Sequence, residues 1–277
     1  MYAFVDKYIG GFGNQLFQYF TLLYICKKYN KIPIMFDQDK CEGYIKSLFY
    51  KNIFNLEIKD RDEIFKDKYV IITSEDQFDP IIYPENIPES INILFVGLRM
   101  NIKNFKEIIP EGIKILNPPN VINRIENLCL IGFRGFTEQQ TIHFRIKNIY
   151  YKNAIEIIKQ KIPNVMFVAY TDDYNYAEKI LIENNISAKI YEGKRDGITD
   201  INHFYQMFEC NHAILTNSSY HLWSMILNTS GTNYICLPKT DNWVNKTSIR
   251  DISGNLIYVE NIYDNKYPSI STLKKKN

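Results

Sequence analysis

The chain has 277 residues, 45% of them apolar and 23% charged, and 33 basic against 31 acidic side chains leave a formal charge of +2. At roughly 150 residues per domain this is room for about two domains or one large one, which excludes a small disulfide scaffold, and the apolar content excludes wholesale disorder. Near-neutrality gives no field argument for nucleic acid or a membrane surface, and leaves room only for a local basic pocket that takes an anion.

Periodicity predicts a strand from Tyr2 to Ile9 and a helix from Asn14 to Lys28, with Leu16, Phe17, Phe20, Leu23 and Tyr24 on one face and Gly10-Gly11-Phe12-Gly13 as the turn between them. Lys31 to Phe36 reads as a second strand. Cys41 to Ser90 is irregular, broken by Pro80, Pro84 and Pro88, and yields no element. Ile93 to Val96 is a strand, Asn104 to Ile109 a short helix, and Asn117-Pro118-Pro119-Asn120 the expected joint between residues 1–120 and 121–277. The second half alternates: strands at 128–133, 165–170, 188–191, 212–215 and 233–237, helices at 150–161, 175–183, 201–209 and 219–227. Strands alternating with helices of about ten residues specify a doubly wound parallel sheet. Lys274-Lys275-Lys276 reads as a solvated tail.

The cysteines, Cys26, Cys41, Cys129, Cys210 and Cys236, are odd in number, scattered and mostly set among apolar residues, as expected of reduced thiols in the cytoplasm. The amino terminus lacks a signal-peptide pattern, and no run approaches the ~18 apolar residues of a membrane span. A soluble cytoplasmic protein is expected.

In open parallel sheets ligands bind beyond the carboxyl ends of the strands. The loops expected there carry Arg134-Gly135, Thr171-Asp172-Asp173, Glu192-Gly193-Lys194-Arg195 and Thr216-Asn217-Ser218-Ser219. Asn217, Ser218 and Ser219 precede a helix, whose free N–H groups and positive dipole end suit a phosphate, and Arg134 adds a charged fork. Asp172 or Asp173 is placed to accept from a guanine edge or a ribose hydroxyl. Asn-Ser-Ser or Thr-Asp-Asp taken alone reads more simply as a helix cap, worth about 1 kcal/mol; as a set the loops point to a nucleotide site. The turn of Gly10, Gly11 and Gly13, with Asn14 and Gln15 at the next helix start, resembles a phosphate loop, although a plain strand-to-helix turn explains the glycines as well.

Two rival readings attach to this region. Gly11, Gly13 and Asp37 partly match a dinucleotide fingerprint, but Leu16 stands where its third glycine belongs. Asp37-Gln38-Asp39 has the spacing of a metal-binding pair, a pattern that a solvated turn explains more simply. His143, His203, His212 and His221 form no ligand cluster by spacing, so no metal is expected; His221 is flagged because it follows the Asn-Ser-Ser loop.

Together these segments resemble the α-1,2-fucosyltransferases, glycosyltransferase family 11. Gly10-Gly11-Phe12-Gly13-Asn14-Gln15-Leu16-Phe17-Gln18-Tyr19 is similar to the family's Gly-Gly-Leu-Gly-Asn-Gln-Met-Phe-Gln-Tyr signature. Tyr150-Tyr151 with Ala154, Thr171-Asp172-Asp173, Asp200 with Met207 and Cys210, Asn217-Ser218-Ser219-Tyr220 with Trp223 and Asn228, and Leu237-Pro238 with Trp243 follow in the family's order. One motif departs: where the family carries His-x-Arg-Arg-Gly-Asp, this chain has Ile131-Gly132-Phe133-Arg134-Gly135-Phe136, keeping only the second arginine and the glycine. His221 and Leu222 stand where Ser and Trp are usual.

The resemblance implies a GT-B-like fold of two Rossmann-type domains facing a cleft, with the acceptor side in residues 1–120 and the nucleotide sugar in residues 121–277. It implies an inverting, metal-independent glycosyltransferase that moves fucose from GDP-fucose to a glycan hydroxyl, with no cofactor besides the donor. By residue-wise carry-over Arg134 is catalytic, Gly10, Gly11, Gly13, Asn14, Gln15, Ser218 and Ser219 hold the pyrophosphate beside Asn217, and Asp172 or Asp173 holds the guanosine. The candidates for a general base are Glu138 and His143. The altered motif keeps two alternatives open, a different GDP-sugar or a member that binds nucleotide sugar or glycan without transferring; an NAD-dependent oxidoreductase is a distant third.

Overall fold

The computed structural model describes residues 1–36, 54–73, 83–98, 105–116, 123–135, 146–194, 198–228, 233–239 and 255–260. Two all-parallel sheets organise them. The first has the order β3-β2-β1-β5-β4, from β1 (Tyr2–Val5), β2 (Ile32–Phe36), β3 (Glu57–Lys59), β4 (Tyr69–Thr73) and β5 (Asn92–Val96). Its helices are α1 (Phe12–Tyr29), α2 (Arg61–Ile64) and α3 (Ile109–Leu116).

The second sheet has the order β11-β10-β9-β6-β7-β8. Its strands are β6 (Ile125–Gly132), β7 (Met166–Thr171), β8 (Ala188–Glu192), β9 (Cys210–Ile214), β10 (Tyr234–Lys239) and β11 (Asn255–Glu260). The helices between them are α4 (Asn148–Lys161), α5 (Tyr174–Glu183), α6 (Ile198–Gln206) and α7 (Ser219–Ile226), with a short 3-10 turn at Met207–Glu209. Every pairing is parallel, as the alternation of strands and helices predicts. The expected joint at 117–120 lies outside the described residues.

Most predicted elements stand within a few residues of their expected bounds. The first strand stops at Val5 rather than Ile9. The short helix expected at 104–109 is instead α3, beginning at Ile109: Pro110 stands in its first turn, where a missing N–H has no partner to lose. Within the unread stretch, β3, α2 and β4 form, and β11 adds an edge strand the sequence reading missed.

α1 explains how the sheets meet. The predicted stripe would bury one face, yet fourteen of its 18 residues are buried, the mark of a helix covered on all sides. One side lies on the first sheet; the other packs against α7, where Trp223 stacks on Phe20 (centroids 4.6 Å, 17°) and meets Phe17 edge-on at 5.0 Å. A single apolar cluster therefore runs from Ala3, Val5 and Phe95 of the first sheet through α1 to Ala213 and Leu237 of the second.

Candidate functional site

A doubly wound sheet opens a crevice where its strand order reverses. That point falls between β1 and β5 in the first sheet and between β6 and β9 in the second. The glycine turn follows β1, Arg134 follows β6, and Thr216 to Ser219 follows β9, so the fold brings the predicted residues to both switch points.

At the first switch point one side chain does the fastening. Gln18, fully buried on α1, accepts from the Ile9 N–H at 2.7 Å and donates to the carbonyls of Lys7 at 2.9 Å and Gly97 at 2.8 Å. It thereby ties the segment after β1 to the segment after β5. Gly10 (φ +74°) and Gly97 (φ +114°) supply left-handed turns there, and Gln15 donates to the Gly10 carbonyl at 3.1 Å. Gln18 enters the sequence reading only as part of the signature; its clamp is visible only in three dimensions.

The two glycine- and serine-bearing segments, far apart in sequence, meet. The Ser219 hydroxyl donates to Asn14 Oδ1 at 2.8 Å, and any Cβ on Gly13 would run into the Ser219–Tyr220 backbone. Gly13 thus lets α7 approach α1. Both helices present their amino-terminal ends here. Gly11 and Ser218, the capping positions, make no side-chain capping bond, and neither first turn carries an acid. Each end bears roughly half a positive charge and unsatisfied N–H groups, so two like poles face one region. An anion between them relieves both.

Beyond β6, Arg134 forms an ion pair with Asp172, whose other oxygen accepts from the Gly135 N–H at 2.6 Å. Asp173 caps α5, accepting from the Tyr176 N–H at 3.0 Å. The first two positions that depart from the family motif with a change of chemistry, Ile131 and Phe133, are fully buried in the second sheet's core, where Phe133 stacks on Tyr151 at 4.7 Å. Arg134 is the cation that β6 still delivers. Tyr150 holds the opposite strands: its hydroxyl lies 2.5 Å from the Leu215 carbonyl and 3.0 Å from that of Cys236. Burial pushes this phenol well above its ordinary pKa, so it stays a donor.

Beyond β9, Thr216, Asn217 and Ser218 are buried, and so is His221. Thr216 Oγ1, both polar atoms of the Asn217 side chain and His221 Nδ1 have no hydrogen-bond partner among the described residues, and neither has Gln15 Oε1 across the contact with α1. The His221 ring fills the space beside Gly132, its Nδ1 2.5 Å from where a Cβ would stand. Burial first, and the Arg134 charge second, lower the His221 pKa to about 3, so its imidazole is neutral.

His203 packs edge-on against the stacked rings of Tyr170 and Tyr191 at 5.8 and 5.3 Å, while His212 accepts from the Tyr234 N–H at 3.1 Å through Nδ1 and bonds the Glu126 carbonyl at 2.8 Å. Both are structural. No group of three or more potential metal ligands occurs among the described residues. Glu138, His143, the Asp37-Gln38-Asp39 triplet and Trp243 lie outside them. No described helix is long and apolar enough to cross a membrane.

Residues 135–257 match the family model described as glycosyl transferase family 11. No curated protein matches the sequence. Among solved structures, a glycosyl transferase family 9 protein from Veillonella parvula is similar over 100% of this chain and 91% of its own, at 10% identity and a TM-score of 0.51. An E. coli ADP-heptose lipopolysaccharide heptosyltransferase II shares 9% identity over 95% of this chain and 92% of its own, with a TM-score of 0.49. Fucosyltransferase NodZ from Bradyrhizobium shares 11% identity over 82% and 93%, with a TM-score of 0.48. The two parallel-sheet lobes are thus a GT-B-like fold.

Proposed function

We propose, from the match of residues 135–257 to the glycosyl transferase family 11 model, that the chain is a glycosyltransferase that moves fucose from GDP-fucose to a glycan hydroxyl, with inversion at the sugar carbon and without a divalent metal. The observation that carries this reading is the meeting of two acid-free, uncapped helix ends at the contact of Asn14 with Ser219. Such a seat offers backbone N–H groups and two dipole ends to a diphosphate, and Arg134 stands at the neighbouring strand end.

The chemistry that follows is dissociation of the sugar–phosphate bond as the acceptor oxygen attacks the opposite face of the anomeric carbon. Negative charge grows on the departing GDP. Pre-oriented donors aimed at that charge lower the barrier, and their removal costs on the order of a hundredfold each. Arg134, the Ser218 hydroxyl and the N–H groups of both helix ends, that of Ser219 included, are the donors; Gly10 and Gly11 give the turn its shape, Gly13 lets α7 approach α1, and Asn14 fixes Ser219 by taking its hydroxyl proton. The acceptor proton leaves to a general base, for which Glu138 and His143 are the proposed candidates.

A second reading has its own observation. Ile131 and Phe133 are core residues rather than polar ones, so this site offers the donor fewer charges than the family motif would, and a GDP-sugar other than GDP-fucose fits the same seat. The four described cysteines are buried free thiols, in keeping with a reducing, cytoplasmic setting. Thermal-shift titration with GDP, UDP and NAD tests the nucleotide class, since only a ligand that binds the native state raises the melting temperature. Product analysis with GDP-fucose and other GDP-sugars then separates the two donors; stabilisation by NAD alone would overturn both.

A further inference from the structure

The first turn of α7 holds a side chain that the family signature does not account for. His221 is the third residue of α7, 3% exposed, and its Nδ1 has no hydrogen-bond partner among the described residues. A buried polar atom left unpaired is destabilising, and Thr216 Oγ1 and the Asn217 carboxamide on the loop before it are in the same condition. Three neighbouring groups unpaired at one strand end describe a site that a polar ligand completes. Side chains in a helix's first turn lean back toward its amino terminus, which here is the end that meets α1.

We propose that His221 is a donor-binding residue, its imidazole N–H hydrogen-bonded to the diphosphate of the nucleotide sugar, with Thr216 and Asn217 completing the same seat. The inference rests on the donor reading above and adds to it a residue. The ligand class follows from the surroundings. His221 stands within the field of Arg134 and on the positive end of α7, where an anion is favoured. A neutral ring suits this role, because burial and Arg134 both oppose a second cation there; the imidazole donates one hydrogen bond and keeps its proton throughout. Gly132 is the partner that makes this possible, because a side chain at that position would occupy the imidazole's place.

Calorimetric titration of the full chain with GDP and with guanosine tests the assignment. His221→Ala is expected to weaken GDP binding about tenfold or more, the range for a hydrogen bond to a charged group, and to leave guanosine binding unchanged. His221→Asn, which keeps a side-chain N–H, recovers most of the loss, and Gly132→Ala reproduces the defect by displacing the ring. In the wild-type chain, labelled-histidine NMR shows one imidazole nitrogen signal, absent from the His221→Asn spectrum, moving as GDP is added; this readout holds even if the alanine variant fails to fold. Wild-type GDP affinity in folded His221→Ala, or an imidazole signal that GDP leaves in place, overturns the proposal for His221 alone. A wild-type chain that binds no GDP overturns the donor reading and this one with it.

Discussion

Asn14 and Ser219 share a 2.8 Å hydrogen bond across 205 residues of sequence, and through it the first turn of α1 is fixed against the first turn of α7. The glycine that precedes Asn14 is what lets the two approach so closely. Gly13→Ala places a Cβ into the Ser219–Tyr220 backbone, which cannot rotate away as a side chain would. We expect a loss of about 1–3 kcal/mol of stability from overpacking and weaker GDP binding, read by denaturant unfolding and calorimetry. A variant as stable and as tight as wild type would show that the contact is not close in solution.

Arg134→Ala removes the guanidinium beside the seat and breaks the ion pair with Asp172, which keeps its bond from the Gly135 N–H. Turnover is expected to fall by a factor of about 100 or more, and Arg134→Lys restores little, because a point charge does not replace a planar fork. Steady-state kinetics on both variants checks this; unchanged turnover takes Arg134 out of the mechanism.

Gln18→Leu keeps the volume and deletes three hydrogen bonds. At about 1 kcal/mol apiece, a stability loss of about 3 kcal/mol is expected, together with a raised KM for the donor as the glycine turn loosens. A stability loss with no change in KM would mean the clamp serves the fold and not the seat.

Acid should discriminate wild type from His221→Asn. The folded-state pKa of His221 is near 3 against about 6.5 unfolded, so between those values the unfolded chain binds the extra proton and wild-type stability falls as pH falls. The fall attributable to this group approaches about 1.4 kcal/mol per pH unit and is absent in the variant. Unfolding free energies of both proteins from pH 7 to pH 4 give the difference directly; a difference that stays constant would mean that His221 is not buried as a neutral ring.

Chelation with EDTA is expected to leave transfer unchanged, since the charge on the departing diphosphate is met by helix ends and Arg134. Loss of turnover restored by a divalent cation would reverse that expectation.

The fold was legible where burial imposes a period. Strands such as Leu128 to Gly132 and Tyr234 to Leu237 announce themselves as apolar runs, and α1 as a helix, because the core demands those patterns. β3 was not legible because it is a three-residue edge strand, Glu-Ile-Lys, in which no face is forced to be apolar; β4, Tyr69–Thr73, is an apolar β-branched run that stands between a charged stretch and the prolines that follow, and it is hidden among them. At the site, the glycine turn and the Asn-Ser-Ser loop could be read because their residue types carry the chemistry. The fit of His221 against Gly132 could not, since a contact between a helix and a distant strand end leaves no spacing in the sequence. Nor could Gly13 be seen as packing rather than loop geometry until α7 was placed beside it.

The aromatic stack of Phe17, Phe20 and Trp223 bears on how such a molecule can be taken apart. Neither half owns its interior outright: severed from the other, each would expose large rings to water, so excised fragments should aggregate instead of folding separately. Grafting a foreign amino-terminal half onto this carboxyl-terminal one would therefore need the ring contacts carried across with it.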